Sequence, residues 1–235
     1  MKLIQIGGIA RTGKSVLGRI IADKLFELNY VPILLPFAKA LKDEAASLGF
    51  SKEGAPLKYR KFCQTHGATA RKKNPDHWVE KTLESIKYYL TKEDQPFSSG
   101  QKYEFILIQD DLRYMNEVAM GIGLNSWRIF LSSGNREVED IDAPWRKHES
   151  EELSITLDEQ VKNSIGIHSL VHCKPSKDNK EPTVSELYNV ILLNDKTKED
   201  LEIKIERYLQ QWLNSTEKIN NESLLLMKGI INGFR

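Results

Sequence analysis

Along the chain, short runs of apolar residues alternate with longer stretches in which apolar residues return every three or four positions. A strand buried on both faces reads as an unbroken apolar run, and a helix lying on a sheet reads as a stripe of period near 3.6. On this basis Leu3 to Ile6, Pro32 to Leu35, Phe105 to Ile108, Trp127 to Leu131 and Val190 to Leu193 are predicted strands. Val16, Leu17, Ile20, Ile21, Leu25 and Leu28 mark a first amphipathic helix, directly after a glycine-rich turn. Lys39 to Leu48, Leu57 to His66 and His77 to Leu90 read as further helices, and Leu201, Ile205, Tyr208, Leu209 and Trp212 stripe a late one. Strands separated by helices predict an α/β fold around a parallel sheet of about five strands.

Two stretches interrupt the pattern. Ser132 to Ser154 is polar and carries Gly134, Pro144 and many charges, and Cys173 to Pro182 is rich in Lys, Asp, Asn and Pro. Both predict solvated loops. Residues 214–235, with Leu224, Leu225, Leu226, Ile230 and Ile231, read as a helical packing extension without chemistry of its own. No internal repeat is present, and 235 residues suit one decorated domain, residues 1–235, better than two equal ones.

Charge narrows the function. Lys and Arg number 34 against 33 Asp and Glu, a formal net charge of +1, so no global field draws in nucleic acid or an anionic membrane. Anion binding has to be local. The run Arg71-Lys72-Lys73 lacks the wider basic face that a nucleic-acid partner needs. The densest apolar stretch, Val31 to Ala38, is broken by Pro32 and Pro36 and falls far short of the roughly 20 residues of a membrane helix. The first residues, Met-Lys-Leu-Ile-Gln-Ile-Gly-Gly, are too sparsely basic and apolar for a secretory signal. The expected compartment is therefore the cytoplasm, with Cys63 and Cys173 as reduced thiols. His168, His172 and Cys173, even with His148 nearby, lack the second cysteine pair of a structural zinc site and read as packing or surface residues.

The most specific chemistry lies in Gly8-Ile9-Ala10-Arg11-Thr12-Gly13-Lys14-Ser15, which satisfies G-x-x-x-x-G-K-[ST] between a predicted strand and a predicted helix. Gly8 and Gly13 let the backbone turn so that successive N–H groups face phosphate oxygens, and the helix N-terminus adds partial positive charge. Lys14 can then reach the β and γ phosphates, and the Ser15 hydroxyl can ligate a bridging Mg²⁺. The plainer alternative is a glycine turn beside a surface lysine.

Phe105 to Ile108 is followed at once by Gln109, Asp110 and Asp111, which puts two carboxylates at the end of a buried strand. Mg²⁺ keeps most of its water and needs only one or two protein oxygens, so one acid there suffices. Asp111 is preferred for the metal, with Asp110 as the alternative. Arg113, two residues on, offers planar donors to an acceptor phosphate. The competing explanation is that both aspartates cap the next helix.

At this point the residues resemble the deoxynucleoside monophosphate kinases encoded by bacteriophages, relatives of the cellular nucleoside monophosphate kinases. Phe37-Ala38-Lys39-Ala40-Leu41-Lys42 is similar to that family's F-A-x-x-L-K, and Arg60, Gln64, Gly67, Arg71, Asp76 and Trp78 follow its R…Q…G…R…D…W order. Asp111-Leu112-Arg113-Tyr114-Met115-Asn116-Glu117 resembles D-V-R-F-x-N-E, His148-Glu149-Ser150-Glu151 resembles H-x-S-E, and Asn194-Asp195 resembles a terminal N-D. The likeness covers about residues 1–160 and 188–213. Where members carry Arg-Pro-Gly this chain has Ser132-Ser133-Gly134, so a lid arginine is missing and Arg136 or Arg146 stands in for it. Residues 165–187 read as an insertion.

The resemblance implies a three-layer P-loop kinase fold with acceptor-binding helices over residues 36–90 and a mobile lid over 132–160. It implies ATP, bound by Gly8, Arg11, Thr12, Gly13, Lys14, Ser15, Arg136 and Asn194, as donor, with Mg²⁺ on Ser15 and Asp111. It implies a deoxynucleoside monophosphate acceptor, held by Lys42, Arg60, Gln64, Arg71, Trp78, Arg113 and Glu151, with Lys14, Asp111 and Arg113 catalytic. Several of these residues have plainer roles open to them, Arg60 and Arg71 as solvated helix charges and Trp78 as core. Two rival functions also stay open, a kinase for another small metabolite and a non-catalytic nucleotide-binding module, as does a homodimer through the C-terminal segment.

Overall fold

The computed structural model describes residues 1–93, 104–134, 148–165, 182–214, 218–220 and 222–224. Five parallel strands form one sheet in the order β2-β3-β1-β4-β5: β1 (Lys2–Gly7), β2 (Val31–Leu34), β3 (Phe105–Leu112), β4 (Trp127–Ser132) and β5 (Val190–Leu193). Parallel neighbours need crossovers, and α1 (Lys14–Glu27), α2 (Lys39–Ser47), α3 (Pro56–Lys73), α4 (His77–Glu93), α5 (Met115–Gly123), α6 (Glu149–Ile165), α7 (Val184–Leu187) and α8 (Lys198–Leu213) lie along the connections. The architecture is α/β, consistent with three layers.

Strand alternation sorts the core. Ile4, Ile6, Ile106 and Ile108 meet Leu17, Ile20, Ile21 and Leu25 of α1 and Leu201, Ile205 and Leu209 of α8 on one face. Leu3, Phe105 and Leu107 meet Leu41 of α2 and Trp78, Val79, Leu83 and Ile86 of α4 on the other. A third cluster joins Phe130 and Leu112 to Leu157 and Val161 of α6 and to Leu187 and Tyr188. Ile219 and Leu224 of the C-terminal extension are buried in the Leu3 cluster, and the Ile219 N–H donates to the Met1 carbonyl at 3.0 Å.

The predicted strands all form, but β3 runs on to Leu112, because its polar tail from Gln109 to Asp111 hides an extended backbone from hydropathy. The helix that Asp110 and Asp111 were offered as capping is α5, but its N-cap is Tyr114 and both aspartates belong to β3. The solvated loop expected over Ser132 to Ser154 is corrected at both ends: Ser132 belongs to β4, Ser133 and Gly134 are buried, and α6 begins at Glu149. Its polar residues Ser150, Glu151 and Ser154 face inward, so polarity there marks a polar interior and not a loop. The acids of the first turn, Glu149, Glu151 and Glu152, complement the helix dipole. The expected insertion ends in α7, where Val184 and Leu187 are buried. Arg136, Arg146, His168, His172 and Cys173 lie outside the described residues. Among the described residues, no helix is long and apolar enough to cross a membrane.

Candidate functional site

Parallel strands present all their C-terminal ends along one edge of the sheet, and loops there gather side chains from distant parts of the sequence. The Gly8–Ser15 turn leaves the central strand β1 at this edge. Gly8 has φ 136° and Gly13 φ 99°, and a Cβ on Gly8 would lie 2.2 Å from the Leu131 carbonyl oxygen, so glycine is required by both conformation and space. The turn is braced from within and without. Thr12 Oγ1 donates to the Ile9 carbonyl at 2.8 Å, and Asn194 Nδ2 donates to the Thr12 carbonyl at 2.7 Å. Asn194, expected near a donor base, here secures the turn.

Lys14 curls over the turn and donates to the Gly8 and Ile9 carbonyls, both at 2.7 Å. Burial, with the Arg113 guanidinium next, lowers its pKa to about 7 against the pull of Asp111 and Asp110. Arg11 and Arg113 are also close enough to Arg60 to lower its pKa, after the larger effect of burial. Lys14, Arg11, Arg60 and Arg113 thus gather at one end of the site. Ser15 is exposed at the start of α1.

The two aspartates diverge as strand neighbours must. A Cβ on Gly18 of α1 would lie 3.6 Å from Asp110 Cβ, so Asp110 is on the α1 side, one turn from Ser15. Asp111 faces α2, accepting from Lys42 Nζ at 2.7 Å and from the Ala38 N–H at 3.3 Å. Burial pushes the Asp111 carboxyl up, but Lys42 and Arg113 outweigh it and hold the pKa below the ordinary carboxylate value. The expected pairing of Ser15 with Asp111 therefore has as its alternative Asp110, which packs against Gly18 of the helix whose first turn carries Ser15.

Arg113 pairs with Glu151 of α6, whose other oxygen accepts from the Ala10 N–H at 3.3 Å. Glu151, expected on the acceptor, bridges Arg113 and the glycine-rich turn. Four cations were expected on one acceptor phosphate, and the structure divides them. Arg71 is not part of the Lys14 group. Its Nη2 donates to Glu117 Oε1 at 2.9 Å, and its guanidinium stacks 3.8 Å over the Tyr114 ring.

Gln64 sits half-buried between Arg60 and Gly67, on the α3 face that the 60, 64, 67, 71 spacing defines. Trp78 is 3% exposed and donates its indole N–H to the Gly67 carbonyl at 3.2 Å, so it supports α3 from the core and does not line a pocket.

The residue that the sequence quoted only as the end of a motif is Glu117. It is 2% exposed, and its Oε2 accepts from the backbone N–H groups of Arg113 at 2.7 Å and Tyr114 at 3.3 Å while Oε1 takes Arg71. Burial raises its pKa to about 7 against the opposing pull of Arg71. The only signal was its place as the N3 acid of α5. Beside Arg71 and Tyr114 opens a cavity of about 890 Å³ that Asn74, Asp76 and Asn116 also line. Asn116 Nδ2 donates to the Pro75 carbonyl at 2.9 Å and to Asp76 Oδ1 at 3.0 Å, tying the α3–α4 junction to the turn after β3.

No protein-family model matches the chain, and no curated protein matches it either.

Proposed function

We propose that the chain is a P-loop kinase that transfers the γ-phosphoryl of ATP to the phosphate of a deoxynucleoside monophosphate, giving the diphosphate and ADP. The observation that carries this reading is the gathering of Lys14, Arg11, Arg60 and Arg113 around a turn whose glycines admit no side chain, beside two strand-end aspartates. Phosphoryl transfer asks for positioning and charge neutralisation and for no protein nucleophile, which suits a site made of cations and backbone N–H groups. The sequence resemblance supports the nucleotide acceptor, and the deoxyribose rests on it alone.

In this reading Lys14 exchanges the Gly8 and Ile9 carbonyls for β and γ phosphate oxygens, and Arg113 exchanges Glu151 for the transferring group. The N–H of Ala10, now on Glu151, turns to the donor phosphates. Lys42 and Arg60 steer the acceptor phosphate into line. The donor set fits Mg²⁺: an exposed Ser15 hydroxyl and the Asp110 and Asp111 carboxylates are hard oxygens, few enough to leave room for water and phosphate. When bound, the metal neutralises charge on the bridging phosphate oxygens. The α6 end of the expected lid enters the reading through Glu151, which links that helix to the turn.

A coupled assay of ADP release from ATP·Mg²⁺ tests the reading, with dAMP, dGMP, dCMP, dTMP and their ribose counterparts offered separately. Turnover with a deoxynucleotide is expected. Silence across the panel in a chain that still binds ATP moves the function to another metabolite acceptor or to a non-catalytic module.

A further inference from the structure

We propose that Glu117 is a positioning residue that sets Arg71 on the Tyr114 ring as a wall for the acceptor's base, while fixing the turn that carries Arg113 toward the phosphates. The inference rests on the kinase reading above and divides its acceptor site into a phosphate end and a base end.

Three observations carry it. First, the arginines are separated. The Arg113 side chain pairs with Glu151 and acts on Lys14 and Arg60 at the glycine-rich turn, whereas the Arg71 side chain pairs with Glu117 and lies over the Tyr114 ring, which feels both arginines. Arg60 and Arg71 are eleven residues apart on α3, about 16 Å along the helix axis, so the same helix face spans a ligand longer than one phosphate. Second, a guanidinium stacked on a phenol ring is a flat, sequence-tolerant surface for a nucleobase, and this one borders an open cavity of about 890 Å³. Third, both ends depend on one buried carboxylate. Glu117 spends one oxygen on Arg71 and the other on the Arg113 and Tyr114 N–H groups, so its loss loosens the stacking pair and the Arg113 turn together.

The carboxylate faces Arg71 from α3, Asp111 from β3, Arg113 and Tyr114 from the turn, and Tyr188 ahead of β5. With its pKa raised to about 7, Glu117 is ionised above neutrality and loses its hold on Arg71 as pH falls. Base-dependent binding therefore weakens below about pH 7. An acceptor phosphate titrates in the same region, so the comparison with a non-titrating Glu117→Gln chain isolates the protein's share.

The test measures equilibrium binding of dAMP, dGMP, dCMP and dTMP, and of deoxyribose 5-phosphate as a base-free probe, to the whole chain and to Glu117→Gln, Arg71→Met and Lys42→Met. Thermal unfolding confirms that each variant is folded, and Arg71→Met keeps the test alive should Glu117→Gln fail to fold. For the nucleotides that the unsubstituted chain binds, Glu117→Gln and Arg71→Met are expected to weaken affinity about tenfold. Arg71→Met should leave deoxyribose 5-phosphate within about twofold, Glu117→Gln, which also loosens the Arg113 turn, should weaken it by less than it weakens the nucleotides, and Glu117→Gln should flatten the pH dependence of nucleotide binding that the wild type shows. Lys42→Met is expected to weaken nucleotide and sugar phosphate alike. Equal losses on both ligands in Arg71→Met, or no loss on nucleotides, overturn the inference. An unsubstituted chain that binds the sugar phosphate and no nucleotide overturns the kinase reading itself, a result separate from either.

Discussion

The glycine-rich turn and the side chains proposed above to hold an acceptor meet at the same edge of the sheet but are built in different ways. The turn is eight consecutive residues held by hydrogen bonds to backbone carbonyls: Thr12 to Ile9, Asn194 to Thr12, Lys14 to Gly8 and Ile9. The acceptor half is assembled from α2, α3, β3, α5 and α6 and is held by ion pairs: Lys42 with Asp111, Arg71 with Glu117, Arg113 with Glu151. The Thr12 and Asn194 braces do not titrate and hold over a wide pH range, so in the turn only Lys14, with its pKa lowered to about 7, answers to pH. Ion pairs with one buried partner weaken when either side is neutralised, so every brace of the second half is open to single charge changes.

Five experiments press on this contrast. Lys14→Ala is expected to cut turnover by at least about 1,000-fold while the chain stays folded, because it removes the transferring phosphate's closest cation and a costly buried charge; near-normal kcat in that variant breaks the mechanism. Next, urea unfolding across pH tests Glu117. Its folded pKa of about 7 lies above its unfolded value of 4.5, so its stabilising share is complete below pH 4.5 and is lost as pH rises through 7. The loss is on the order of 3 kcal/mol, and Glu117→Gln should flatten that slope. Arg113→Lys keeps the charge and loses the planar fork, and is expected to lower kcat about 100-fold with little change in ATP affinity, read by steady-state kinetics.

Two smaller effects separate architecture from chemistry. Gly13→Ala puts a side chain at φ 99° with its Cβ 2.7 Å from Asn194 Nδ2, and should cost about 1–2 kcal/mol in thermal unfolding and weaken ATP binding as well. Thr197→Ala removes the α8 cap that accepts from the Asp200 N–H at 3.3 Å, and should cost about 1 kcal/mol of stability with kcat unchanged.

The same contrast explains what could be read from the sequence. Gly8 to Ser15 is contiguous and its residue types are dictated by backbone shape, so one spacing rule finds it. The central strands were legible because burial on both faces leaves an unbroken apolar run, and the half-buried edge strands β2 and β5 because they too are short apolar runs. The polar tail of β3 and the inward-facing acids of α6 were not, since a polar interior has the same composition as a loop. Arg71 and Arg113 were both expected on the acceptor, but their different partners, Glu117 and Glu151, were not legible, because a buried acid among charged neighbours has no signature in one sequence. Trp78 carried two readings, core and pocket, and the core one holds, through a contact to Gly67 across eleven residues that spacing alone does not show.

Glu151 bears on how an anion would enter the site. Its carboxylate lies on the Ala10 N–H and on Arg113, two donors an incoming phosphate would claim. A group tethered to the same molecule competes at an effective concentration in the millimolar range, whatever the dilution of the protein. In the proposed reading a free inorganic anion would have to displace this internal rival unaided, whereas a ligand that also engages Lys14 would bring further contacts to the exchange, so the site would select for length as well as charge.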